Sequence, residues 1–187
     1  GIPPERRILA CIGTRLHRHT LNIEQVMEEL KDRPDVALVL IAADHRDLEA
    51  YSASRRYANV YFHPFVPPAR VRAVLAGCDV GLVPTWNRRD LSYWYALDNK
   101  LFDYVAAGIP VLATRQPEYL RLVEGHSVGV CVDPDEPGAY SRGLTAILDA
   151  YPEWRRRVAA ARRELTWEKE RAGLLALYAE LEAASRA

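Results

Sequence analysis

The sequence predicts an α/β domain, a Rossmann-like three-layer arrangement with a six-stranded parallel sheet and C-terminal helices packed across it. Three observations carry that expectation. Short runs rich in Val and Ile alternate with amphipathic segments along most of the chain, which is the pattern of strands joined by crossover helices. The longest apolar runs are strand-sized. After the last such run the pattern changes to helix only. Strands are expected at Ile8–Ile12, Ala37–Ala42, Val60–Phe62, Val80–Val83, Val111–Ala113 and Val128–Val132. Helices are expected between them at Ile23–Asp32, Arg46–Tyr57, Pro68–Ala76, Asn99–Ala107 and Glu118–Glu124. The segments Ala139–Ala150, Pro152–Leu165 and Trp167–Ala183 are rich in Ala, Arg, Glu and Leu at helical spacing, and are expected to close the domain by packing back across the sheet. No repeat, low-complexity segment or linker divides the 187 residues, which make one domain with room for a proper core.

Composition narrows the function. With 25 basic and 25 acidic residues the formal charge is zero, so no broad electrostatic case exists for nucleic acid or an anionic membrane, and any anion site must be local. Cys11, Cys78 and Cys131 are widely separated in apolar segments and read as buried thiols of a reducing compartment. No membrane-spanning run and no leader pattern is visible, so the expectation is a cytoplasmic chain without a transmembrane segment.

In an open parallel sheet, ligands bind beyond the carboxyl ends of the strands, near the point where strand order reverses. The candidates are therefore Gly13-Thr14-Arg15, Asp44-His45, His63-Pro64, Pro84-Thr85-Trp86, Thr114-Arg115 and Asp133-Pro134. The first turn adds Arg18, His17 and His19 to Arg15, and arginine suits a pyrophosphate because its planar donors engage two oxygens at once. The bland alternative is a solvated basic loop. The second and third glycines of a dinucleotide fingerprint are missing, which argues against a nicotinamide or flavin cofactor. No cysteine or carboxylate stands at ligand spacing beside His17 and His19, so a metal is not expected.

The most informative stretch is Leu97–Val111. Asn99, Lys100 and Asp103 are neighbours on one face of a helix start, where free N–H groups and the positive dipole end favour a phosphate. Asp103, one turn in, is left to accept hydrogen bonds from hydroxyls. Phosphate at one end and a diol at the other describe a nucleotide. The structural alternative is a capped helix with an exposed Lys100–Asp103 pair. Gly108-Ile109-Pro110-Val111 then stops the helix and relaunches the chain into a strand, holding that helix against the sheet edge.

These residues resemble the C-terminal, donor-binding domain of the retaining glycosyltransferases with two facing Rossmann-like domains, called group 1 or family 4. The similar blocks are Gly13–Arg18, Val60–Val66, Ala76–Pro84, Asn99–Val111, Gly129–Pro134 and Trp167-Glu168, in order through almost the whole chain; the central ones are the specific ones. The resemblance implies that Asp103 binds the ribose hydroxyls and that Arg15 and Arg18 hold the diphosphate. It implies that His63, Phe65 and Val66 lie near the base, and that Asn99, Lys100 and Leu101 lie at the helix start beside the diphosphate. Gly13, Thr14 and Pro84 complete the implied nucleotide site. Arg15, Arg18 and Lys100 would stabilise the leaving phosphate. The substrate implied is a nucleoside diphosphate sugar carrying a hexose-type sugar for glycan biosynthesis, with no cofactor and no metal. The acceptor would be held by an N-terminal domain, without which this domain does not turn over. One departure matters: many members carry a glutamate eight residues before the ribose-binding acid, where this chain has Tyr95. Asp90 and Asp98 are nearby substitutes, and spacing does not choose. Arg88–Tyr95 reads as a charged, aromatic loop suited either to a sugar or lipid-linked acceptor or to packing on a partner domain. The rival readings are a nucleotide-sugar epimerase-like half and a degenerate, non-catalytic interaction domain. A receiver domain is disfavoured because Gly13-Thr14-Arg15 stands where that fold needs clustered acids.

Overall fold

A computed structural model describes residues 1–16, 22–44 and 46–185. Six parallel strands form one sheet: β1 (Arg7–Ile12), β2 (Val36–Ala42), β3 (Val60–Pro64), β4 (Val80–Val83), β5 (Val111–Thr114) and β6 (Gly129–Val132), in the order β3-β2-β1-β4-β5-β6. The crossover helices are α1 (Ile23–Leu30), α2 (Arg46–Arg55), α3 (Pro68–Leu75) and α5 (Asn99–Ala107). A short helix, α4 (Leu91–Trp94), lies in the β4–α5 connection. It was not expected from the sequence, and Asp90 caps it by accepting from the Ser92 N–H at 2.9 Å and the Ser92 hydroxyl at 2.6 Å. The helix expected to reach Glu124 is instead a single turn, α6 (Pro117–Tyr119), followed by a π-helical turn at Leu120–Glu124. α7 (Ala139–Asp149), α8 (Tyr151–Ala161) and α9 (Trp167–Ser185) follow the sheet.

Alternate residues of the strands face opposite layers, so the sheet is apolar on both sides. Ala10, Ile12, Ile41, Val83 and Val111 pack with Leu75 of α3, Tyr104 of α5 and Val158 of α8. Leu9, Cys11, Leu38, Leu82 and Leu112 pack with Val26 and Met27 of α1 and with Tyr140, Leu144 and Ile147 of α7. Such burial is the dominant favourable term holding the layers together. It also pushes the thiols up, to about 11 for Cys11 and Cys78 and about 12 for Cys131, and all three are free cysteines. No described helix is long and apolar enough to cross a membrane.

Two features depart from regularity, and the first positions the site. β1 pairs with β2 from Arg7↔Val36 through Ile12↔Ile41, but meets β4 only at Leu9↔Val80 and Ala10↔Gly81. Beyond that point the phenol of Tyr104 bridges the two strands: the Ile12 N–H donates to it at 3.0 Å, and it donates to the Leu82 carbonyl at 3.1 Å. The ring fits because residue 81 is glycine; a Cβ there would stand 2.2 Å from Tyr104 Cγ. The other departure concerns the closing helices. α7 and α8 pack as expected, whereas every described side chain of α9 is exposed, including Trp167, Leu174, Leu177, Tyr178 and Leu181.

Candidate functional site

Strand order reverses between β1 and β4, and at the carboxyl end of that split lies a cleft of about 410 Å³. One wall is the turn after β1. Gly13 N–H bonds the Ile41 carbonyl at 3.0 Å, and Ala43 N–H bonds the Thr14 carbonyl at 3.1 Å, so this turn runs alongside the end of β2 and sets Arg15 on the rim. Gly13 does not have a positive φ. The second wall is the start of α5, which contributes Asn99, Lys100 and Asp103. Leu101, Tyr104 and Val105 are on the buried face of that helix, and Gly108, left-handed at φ 80°, ends it. The third wall is apolar: Phe65, Val66, Pro68, Val71 and Val74.

The α5 start is open to an anion in a specific way. Asp98 is its N-cap residue, with extended backbone, but its side chain makes no capping hydrogen bond. The carboxylate instead accepts from the Thr85 hydroxyl at 2.6 Å and from Lys100 Nζ at 2.9 Å. The Thr85 carbonyl accepts in turn from the Thr114 hydroxyl and from Gln116 Nε2, so the ends of β4 and β5 are tied to the helix start. Burial pushes the Asp98 carboxyl up, but the Lys100 charge and the hydrogen bonds from Thr85 and Lys100 outweigh it and hold it below the usual carboxylate range. Asp103 is the opposite case. Burial alone raises its carboxyl, and among the described residues its side chain has no hydrogen-bond or ion-pair partner.

The cleft thus gathers Gly13, Thr14, Arg15, Phe65, Val66, Asn99, Lys100 and Asp103 of the sequence-derived candidates. Arg18, with His17, His19 and His45, lies outside the described residues. Three other candidates stand elsewhere. His63 is exposed at the end of edge strand β3, its Nδ1 2.7 Å from the Pro64 carbonyl. Pro84 is buried and gives its carbonyl to the Asn22 N–H at 2.9 Å. Leu101 is a fully buried core side chain. The Lys100–Asp103 pair of the structural alternative does not form, and Lys100 pairs with Asp98 instead. Of the two acids that spacing left open, Asp98 lines the cleft and Asp90 is spent on capping α4. Sequence reasoning missed Thr85 as the anchor of Asp98, and Gly81 with Tyr104 as the pair that opens the crevice.

The loop carrying α4 is folded on itself. The Arg88 guanidinium lies 4.5 Å from the Trp86 ring centroid and 5.7 Å from that of Trp94, and it pairs with Asp133 at 3.2 Å and Asp135 at 3.0 Å. Leu91 and Tyr95 remain exposed. Among the described residues no three His, Cys, Asp or Glu side chains gather as a metal site. Chemically, the cleft offers a positive helix pole and two cations to an anion, an unpartnered carboxylate to hydroxyls, and an apolar wall to a flat ring.

Comparison with known proteins follows the same direction. The family described as glycosyl transferases group 1 matches residues 6–150. No curated protein matches the sequence significantly. Among solved structures the fold is similar to sucrose-phosphate synthase from Thermosynechococcus elongatus, with TM-score 0.78 and 22% identity over 98% of this chain and 47% of that one. It is similar to HepE of Anabaena in complex with UDP, with TM-score 0.74 and 14% identity over 96% of this chain and 49% of that one. It is also similar to the C-terminal domain of the group 1 glycosyl transferase LpcC from Francisella tularensis, with TM-score 0.60 and 17% identity over 82% and 81% of the two chains. The chain spans about half the length of the first two, and at these identities the likeness is one of fold. By the match that runs through most of its length, the chain belongs to the group 1 glycosyl transferases.

Proposed function

We propose that this chain is the donor-binding half of a retaining glycosyltransferase, holding a nucleoside diphosphate sugar whose hexose-type sugar passes to an acceptor on an N-terminal domain. The observation that carries the reading is the meeting of Asn99, Lys100 and Asp103 of α5 with Arg15 across one cleft at the switch point. The diphosphate sits against the α5 start between Lys100 and Arg15, with Arg18 adding a further donor. Asp103, the carboxylate without a described partner, accepts from the ribose hydroxyls, and the base lies along Phe65, Val66 and Pro68. HepE, similar in fold, is described in complex with UDP and with UDP-glucose, which makes uridine the first base to test.

As the bond to the sugar breaks, negative charge grows on the leaving phosphate, and Lys100, Arg15 and the helix pole stabilise it. Removing one such donor costs about 10²- to 10³-fold in kcat in a complete enzyme. The reaction so drawn needs no metal or redox cofactor, and the isolated half binds without turning over. We place the activity in cytoplasmic glycan assembly, with the exposed face of the Arg88–Tyr95 loop turned towards the acceptor side.

Calorimetric titration with UDP, GDP, ADP and dTDP tests the reading. One nucleotide binds selectively, and Lys100→Ala or Asp103→Ala weakens it about tenfold to a hundredfold. Absence of binding by all of them at millimolar concentration would overturn the proposal in favour of a degenerate module.

A further inference from the structure

Lys100 is not a loose cation at the helix start. Its side chain is 13% exposed, and its ammonium already lies 2.9 Å from Asp98, whose own side chain is 25% exposed. An aspartate in the N-cap position ordinarily turns its carboxylate onto the N–H groups of the first helical turn. Asp98 does not, because the Thr85 hydroxyl at 2.6 Å draws it to the other side, and Thr85 is itself held through its carbonyl by Thr114 and Gln116, both fully buried. Two consequences follow from this single displacement. The first turn of α5 is left without a side-chain cap: the Leu101 N–H bonds the Asp98 carbonyl at 3.1 Å, and the N–H groups of Asn99 and Lys100 are available to an anion. The four-carbon stem of Lys100 is ordered before any ligand arrives, with one of its three N–H donors on Asp98 and two left to point elsewhere.

We infer that Asp98 is the positioning residue for Lys100: held off the helix cap by Thr85, it keeps the ammonium in the cleft and the Asn99 and Lys100 N–H groups open for the diphosphate. The inference rests on the donor-site reading above and extends it to a residue that touches no phosphate. An acid beside an anion site opposes the anion by charge, and among the described residues the charged groups lining this cleft are Arg15, Lys100, Asp98 and Asp103. Beyond its anchoring bond to Thr85, Asp98 therefore serves the anion through Lys100.

That condition makes it testable by a double-mutant cycle read with UDP, or with whichever nucleoside diphosphate the wild type binds. Asp98→Asn keeps the shape and an acceptor for Thr85 but removes the ion pair. It weakens binding about fivefold, Lys100→Met weakens it about tenfold or more, and the double variant binds no more weakly than Lys100→Met alone. Unchanged or tighter binding by Asp98→Asn would overturn the inference, as would a double variant weakened by the product of the two single effects. A wild type that binds no nucleoside diphosphate removes the donor reading and this one together. A wild type that binds while the cycle is additive removes only this one. The second readout needs no variant to fold. The chain has three lysines, Lys31, Lys100 and Lys169, and with ¹⁵N-labelled lysine only Lys100 gives a slowly exchanging Nζ signal in the ligand-free protein. Its absence from the wild type overturns the inference; where Asp98→Asn folds, that signal is lost.

Discussion

α5 and α9 are both helices with apolar residues at helical spacing, and the shorter is the better placed. The nine residues of α5 bury Leu101, Tyr104, Val105 and Ala107, while the nineteen of α9 bury no described side chain, although Leu174, Leu177, Tyr178 and Leu181 fall on one face. What separates them is the opposite partner rather than propensity. α5 has a seat made for it: Gly81 admits the Tyr104 ring, Ile12 and Leu82 receive its phenol, and Gly108 turns the chain directly towards β5. Among the described residues α9 buries no side chain in such a seat. Length and composition decide that a helix forms; a pocket of complementary shape and polarity decides where it stays. The candidate site is built on the helix that is held.

The contrast breaks most readily at the seat. Gly81→Ala forces a methyl into the Tyr104 ring, and the expected loss is about 3 kcal/mol or more in urea denaturation, because neither the strand nor the buried ring has room to give. A midpoint unchanged from wild type would show that α5 is not keyed there. Tyr104→Phe keeps the ring but strips partners from two buried backbone groups, for an expected loss of about 1–3 kcal/mol. Asp103→Asn works in the opposite direction. Burial raises the Asp103 carboxyl in the folded protein, so the folded state holds its proton more firmly than the unfolded chain. The ionised carboxylate then penalises folding at neutral pH and is relieved as pH falls through the carboxylate range. The variant is expected to melt higher than wild type at pH 7, to lose that advantage in acid, and to bind nucleotide more weakly. A lower melting temperature at pH 7 would mean that Asp103 has a partner in the ligand-free protein. The smallest effect belongs to α9: Leu177→Ser changes stability by less than about 0.5 kcal/mol, and a larger loss would mean that the face is covered in solution.

The strands were legible because burial on both faces of the sheet writes itself as continuous Val- and Ile-rich runs, and α5 was legible because Asn99 and Gly108 bracket it. What stayed hidden lay where helical or strand periodicity names no partner. Lys100 and Asp103 have suitable helical spacing, yet Lys100 chose Asp98, which precedes the helix in extended backbone where helical periodicity does not apply. Leu101 follows Asn99 and Lys100 in the motif, but Tyr104 and Val105 three and four residues on place it on the buried face. α4 escaped notice because four residues held by one aspartate cap leave no periodicity to read. The packing of α9 could not be read from its stripe, since a stripe specifies a face and not what meets it.

The phenol between β1 and β4 has a consequence for how the cleft comes into being. Any partly opened form that releases α5 also takes away the acceptor of the Ile12 amide and the donor to the Leu82 carbonyl, in the middle of the sheet. The α5 wall of the crevice and the junction of β1 with β4 therefore open in one event. The Ile12 amide becomes a gauge of that event. Its hydrogen exchange is expected to be among the slowest in the chain and to slow further when the cleft is filled, whereas the amides of α9 fray independently of both.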